Sequence, residues 1–247
     1  MANGDIIAGL DLGTTKVCAI VAEQTEDGLD VIGVGSVPCS GLRKGVVVNI
    51  ESTVQAEQAG GEHGATRAGG ENKAVQAAVE QAATVAGVEI NAGYAGIAGS
   101  HVRGMNTQGV AAIQTREVSR EDVMRVLEQA KAIPLPSDRQ ILHALPQEYI
   151  VDDQDGIKQP VGMTGVRLEA RVHMVTAAST AVANLKKCAE RCSLHVSDVV
   201  LQPLASADAV LGADEKEIGV ALIDIGGGAT DIPLYPGGAV ARTAGVP

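Results

Sequence analysis

The sequence contains no phenylalanine, no tryptophan and only three tyrosines in 247 residues. A chain of this length can bury a full core and makes one or two domains. Aromatic rings ordinarily supply much of the bulk of such a core. Here Val, Ala, Ile and Leu must do so, which predicts a thin core, and the same lack removes base stacking as a means of holding nucleic acid. Positive charge is also scarce. Nineteen Lys and Arg stand against 30 Asp and Glu, a net charge of −11 with no long basic block, so DNA and anionic lipid are repelled. No apolar run approaches the length of a membrane span, and the first residues lack the charged-then-apolar layout of a signal peptide. These absences predict a soluble cytoplasmic chain. The four cysteines, Cys18, Cys39, Cys188 and Cys192, include no C-x-x-C pair. No His–Cys pair completes a zinc set beside Cys188 and Cys192, so buried reduced thiols are expected.

What is present centres on two similar stretches. In Ile6–Lys16, IIAGLDLGTTK, an apolar run delivers Asp11 to a tight turn, Gly13-Thr14-Thr15, and a second apolar run follows Lys16. The device recurs as VALIDIGGGATD, with Asp224, Gly226, Gly227, Gly228 and Thr230 in the corresponding places. Either copy alone reads as an ordinary hairpin with a glycine-rich turn. Two of them, facing each other, would clamp phosphate. Glycines let backbone N–H groups come close to phosphate oxygens, successive N–H groups in a turn form an anion-binding concavity, and the threonine hydroxyls and Lys16 add donors. Asp11 and Asp224 would hold Mg²⁺ through water, since that ion keeps several waters and takes only one or two carboxylates beside the phosphates. No G-x-x-x-x-G-K-[ST] string occurs, so this is not a Walker-type loop.

The two tips resemble the phosphate motifs of the actin, sugar-kinase and heat-shock-chaperone ATPase superfamily. Within it, GLDLGTTKV, LRKGVVVNIESTVQA, AGIAGSHVRGMN, LPQEYIVDDQDGI, GVRLEARVH and LQPLASADAVL are similar to the FtsA family of bacterial division proteins, and the resemblance covers nearly the whole chain. It implies an α/β, actin-like (ribonuclease H-like) fold with an inserted α+β subdomain and an incomplete second half. It also implies ATP and Mg²⁺ as cofactors, self-association, and partners that include FtsZ and other division proteins. A place on the cytoplasmic face of the inner membrane, through a C-terminal helix lying beyond this chain, is implied as well. The adenine-binding glycine pair and the return into the first subdomain would also follow Pro247. In the superfamily the position of Gln202 orients the attacking water, with Glu in FtsA-like chains. An amide can place water but cannot take its proton, so hydrolysis is expected to be slow at best, and a plain strand-end polar residue is the other reading of Gln202. Ala229 stands where the family has Thr.

Taken in order, residues 5–13, 16–23 and 29–37 read as strands, Val46–Ile50 as a short apolar segment, and Ser52-Thr-Val-Gln55 as a capping box. A glycine-rich stretch at 59–73 interrupts the helix that the resemblance would carry through, and helical spacing resumes at Val75, Val79, Ala82 and Val85. The first subdomain is therefore expected over 1–87 and the inserted interaction subdomain over 88–165. The return to the first half and the start of the second subdomain follow over 166–247. In the inserted part Val88–Ile90, Tyr94–Ala98 and Val110–Ile113 read as strand pieces, Ser119 as a helix cap, and Ile141–Leu145 and Glu148–Val151 as extended segments on either side of Pro146. Asp152-Asp-Gln-Asp-Gly156 lacks the carboxylates of a calcium loop and is a turn. Strict alternation from Val166 to Met174 predicts a half-buried strand with His173 on its polar side. A helix is expected from Thr180 to Arg191, a strand over His195–Leu201, and a short helix after Gln202-Pro203. Pro233, in the strand after the second tip, is expected at an edge or bulge. Other readings of the clamp are a small-molecule kinase, for which no acceptor-site base stands out, and a pilus-assembly adaptor of similar fold.

Overall fold

The computed structural model describes residues 5–39, 42–43, 46–47 and 71–246. The expected capping box at Ser52 and nearly all of the 59–73 stretch lie outside them. The elements in chain order are β1 (Ile6–Leu12), β2 (Lys16–Thr25), β3 (Gly28–Pro38), β4 (Leu42–Arg43), β5 (Val46–Val47), α1 (Glu71–Ala86), β6 (Ala92–Ile97), β7 (Arg103–Ala112), α2 (Arg120–Lys131), β8 (Arg139–Val151), β9 (Gln154–Ile157), β10 (Arg167–Ala178), α3 (Ser179–Glu190), β11 (His195–Leu201), α4 (Gln202–Val210), α5 (Ala213–Ile218), β12 (Val220–Ala221), β13 (Asp224–Ile225), β14 (Thr230–Tyr235) and β15 (Arg242–Val246).

Three sheets carry the site and its surroundings. The first has the order β11-β6-β1-β2-β3, antiparallel within β1–β3 and parallel where β6 joins β1 and β11 joins β6. Its core is built from Leu10, Leu12, Val17, Val21 and Ala95 of the sheet with Val75, Ala78 and Ala82 of α1 and Val182, Leu185 and Ala189 of α3. Without large rings to space the layers, the helices come down onto glycine. A Cβ on Gly35 of β3 would lie 2.9 Å from the Ala78 carbonyl carbon and the Ala82 nitrogen, and a Cβ on Gly33 2.8 Å from Ala86 Cβ. In the second sheet, Gly109 of β7 plays the same part, where a Cβ would lie 2.8 Å from Ala130 N of α2. The predicted thin core is thus realised as close backbone contact between helix and strand.

The second sheet, β7-β10-β8-β9, packs α2 over Leu168, Ala170, Val172 and Met174 of β10. Ser119 caps α2 in a reciprocal box with Asp122, as the sequence predicts. The expected boundaries move. Val88–Ile90 is not a strand. Tyr94 lies in β6, which belongs to the first sheet, whereas β10 pairs with both β7 and β8. The inserted unit therefore runs from Arg103 through β10 rather than over 88–165. Strand pairing is decided by distant partners, and the local pattern carries no information about it. The two extended segments flanking Pro146 are one strand, because an extra residue, Gln147, bulges opposite the Arg171–Val172 step and absorbs the proline. Arg139 ties both crossings into this unit, donating to the carbonyl oxygens of His101 and Thr176.

β10 leaves Arg167 and Arg171 exposed but is buried on both faces from Val172 to Ala177. Glu169 is bonded by Arg167 and Gln108, and His173, expected on the polar side, is 1% exposed beneath β15. Alternation showed which residues differ in polarity but not that a second layer covers the polar ones. The third sheet places β14 between β12 and β13 on one side and β15 on the other. Pro233 is thus neither on an edge strand nor at a bulge. The Leu222 N–H donates to its carbonyl at 3.2 Å. Proline has no N–H to return that bond, and the partner strand is broken there into β12 and β13.

Candidate functional site

β1 and β2 close on the first tip, where Gly13 N–H donates to the Lys16 carbonyl at 3.0 Å. β13 and β14 close on the second through the bond from Gly226 N–H to the Ala229 carbonyl, 2.9 Å. The turns are alike in sequence and in hydrogen bonding, and they meet. A Cβ placed on Gly227 would stand 3.1 Å from Thr15 Oγ1, and one on Gly228 3.0 Å from Thr14 Cγ2. Glycine at 227 and 228 thus leaves the room that the Thr15 and Thr14 side chains occupy against the second turn. Thr14 and Thr15 of the first tip lie against Gly228 and Gly227 of the second, and Asp11 stands close enough to Asp224 to feel its charge, although more than 200 positions separate them. Gly13 and Lys16 lie in the first turn, and Gly226 and Thr230 in the second.

One helix braces both acids. Gln202 and Ser206 stand four apart on α4 and so on one face of it. The Gln202 amide donates to Asp11 Oδ1 at 2.5 Å, and the Ser206 hydroxyl to Asp224 Oδ2 at 2.8 Å. Two features fix where the helix begins. Leu201 N–H donates to His143 Nε2 at 3.0 Å, a bond that needs a neutral ring, and burial holds His143 below the usual imidazole range against the opposing pull of Asp198. Gly96 leaves space beside Gln202, since a Cβ there would lie 2.8 Å from Gln202 Cγ. The sequence did not single out Ser206 or His143. The spacing of four from Gln202 was a signal for Ser206, whereas nothing local marks His143.

The acids crowd one another. Solvent still reaches Asp11, yet the protein packed around it raises its carboxyl, Asp224 adds to the rise, and Lys16 and the Gln202 amide oppose it. Asp231, opposite Asp224 across β13 and β14, is likewise raised by burial and then by Asp224. Such repulsion favours a proton or a cation at this point. Among the described residues no group of three or more His, Cys, Asp or Glu side chains forms a metal cage. The donors fit Mg²⁺ held by one or two carboxylates, water and phosphate.

A direct consequence concerns Gln202→Glu. It sets a second carboxylate against Asp11 and raises the pair further. A carboxyl group whose pKa rises on folding contributes its stability below the unfolded value, and that contribution is lost as pH rises through the folded value. The variant should therefore melt below the wild type at pH 7–8 and close the gap near pH 4, with Mg²⁺ restoring part of the loss. A melting difference that does not change with pH would contradict the Asp11 contact.

Comparison with known proteins shows what the chain is similar to. Residues 99–176 match the family model described as the SHS2 domain inserted in FTSA, which spans β7 to β10. The cell division protein FtsA of Pseudomonas aeruginosa is 48% identical over 246 residues, 99% of this chain and 55% of that protein. FtsA of Neisseria meningitidis serogroup B is 46% identical over 243 residues, 98% of this chain and 54% of that protein. The chain is homologous to FtsA over nearly all of its length and spans about half the length of these relatives. Among solved structures, one of the PilM-PilN type IV pilus biogenesis complex aligns with a TM-score of 0.64 at 15% identity, over 97% of this chain and 61% of that one. The fold is the α/β, actin-like one with an inserted α+β unit. No helix among the described residues is long and apolar enough to cross a membrane.

Proposed function

We propose that the two tips form a clamp for the phosphates of ATP with Mg²⁺, in a division protein of the FtsA kind. The observation that carries this is the pair of acids, Asp11 and Asp224, brought from remote hairpins onto one face of α4. Thr14, Thr15, Lys16 and the backbone of Gly13 would grip phosphate from one side, and Gly226, Gly227, Gly228 and Thr230 from the other. Bound Mg²⁺ would neutralise the charge that the acids and phosphates share. Gln202 holds Asp11 and has no basic nitrogen or oxygen with which to take a proton from water, so turnover is slow and nucleotide serves to stabilise one arrangement of the chain.

In this reading the protein assembles with copies of itself and links the FtsZ ring and other division proteins to the cytoplasmic face of the membrane. Its homology to FtsA supports the biological setting. A pilus-assembly adaptor has only the fold likeness at 15% identity in its favour. The kinase alternative shares the clamp and differs in needing an acceptor. Purified protein given Mg·ATP and a panel of sugars and short carboxylic acids should form ADP at the same slow rate with every compound. Release of ADP that depends on one acceptor would replace the adaptor reading with a phosphotransferase.

A further inference from the structure

We propose that the inserted unit controls the spacing of the two tips through a buried contact centred on His173, an inference that rests on the clamp reading. Asp224, Asp231 and Gly245 lie side by side across β13, β14 and β15. Gly245 leaves room for Asp231, whose Oδ1 would stand 2.8 Å from a Cβ there. Two residues from Gly245, on the same face of β15, the Thr243 hydroxyl reaches His173 Nε2 at 3.1 Å. The other ring nitrogen, Nδ1, lies 2.6 Å from Asn106 Oδ1. With Nδ1–H donating to Asn106, the neutral ring accepts from Thr243, and burial keeps it neutral by holding it below the usual imidazole range.

The contact is built into the fold. Gly104 lies directly beneath it, and a Cβ at that position would stand 2.8 Å from His173 Cε1 and Nε2. Two more bonds cross the same seam to the loop that joins β14 to β15. Lys158 Nζ donates to the Gly237 carbonyl at 2.8 Å, and the bulged Gln147 donates to the Val240 carbonyl at 3.1 Å. Through Thr243 of β15 and the β14–β15 loop, the sheet bearing Asp224 and Asp231 is therefore tied to the inserted unit by these three bonds among the described residues. In the proposed link, phosphate entering between the tips shifts this sheet. A shift of β15 is felt at His173 and hence along β7 and β10, and whatever holds the inserted unit changes the affinity of the clamp by the same factor.

Thr243→Val, which replaces a hydroxyl by a methyl of similar size, tests this by hydrogen exchange on the whole chain. In the wild type, Mg·ATP should slow exchange of the β7 amides, residues 103–112, by at least about fivefold, the lower end of usual coupling. In Thr243→Val that response should disappear while Mg·ATP still binds, and Thr243→Ser, which keeps the hydroxyl, should restore it. A β7 response of wild-type size in Thr243→Val overturns the proposal. If Mg·ATP gives no binding heat with the wild type, the clamp reading fails, and the nucleotide-free comparison decides the link by itself. Thr243→Val should speed exchange of the β14 amides, those of residues 230–232, 234 and 235, with the α3 amides unchanged as reference. Unchanged β14 exchange overturns the link.

Discussion

Gly35→Val should abolish folding at 25 °C, seen as loss of the cooperative thermal transition and of helical circular dichroism. The position lies in β3 beneath α1, and the added side chain would be driven into the backbone at Ala78 and Ala82, both fully buried. A side chain in the way can change rotamer, but a helix backbone can only lift away as a whole. Lifting α1 would also strip Val75, Ala78 and Ala82 from Val17 and Val21. Overpacking ordinarily costs about 1–3 kcal/mol. With backbone as the obstacle, the loss should go well beyond that range and use up the roughly 5–15 kcal/mol that holds a domain together. Gly9→Ala serves as the control. It lies in the same sheet with nothing within 4 Å of the new methyl, so its thermal midpoint should stay close to that of the wild type. A folded Gly35→Val protein would refute the close-packed account of a core built without Phe or Trp.

What could be read from the sequence was whatever a local pattern fixes. β1, β2 and β3 follow alternation and turn residues, the α2 cap follows Ser119 and Asp122, and α3 follows its apolar stripe. The tips were legible because one uncommon arrangement occurs twice. What could not be read depends on partners remote in the chain. Nothing near Tyr94 says that β6 joins β1, and nothing near His173 says that Thr243 will cover it. The same holds for Ser206 and Asp231, whose importance comes from Asp224 across a tertiary contact rather than from their neighbours. Pro233 shows the converse. Its missing donor was evident from the residue type, but the structure met that lack by breaking the partner strand instead of leaving the proline at an edge.

The second large effect is expected at Asp11. Its carboxyl is raised by the surrounding protein and by Asp224, so the two acids repel each other. Asp11→Ala removes one of the two carboxylates, frees the Gln202 amide and leaves Asp224 to hold the ion alone. Loss of a direct or water-bridged carboxylate to Mg²⁺ should lower Mg·ATP affinity by about 100-fold or more, roughly 2.7 kcal/mol. The same change relieves repulsion, so the protein without nucleotide should be as stable as the wild type or slightly more so, the usual trade at a strained functional site. Equal stability with lost binding separates a site defect from a folding defect. Calorimetric titration of Mg·ATP into wild type and Asp11→Ala is the most direct measurement. Saturable heat from the wild type and none from the variant over the same range is the predicted result. Identical heats from both proteins would mean that the paired tips are not a phosphate clamp.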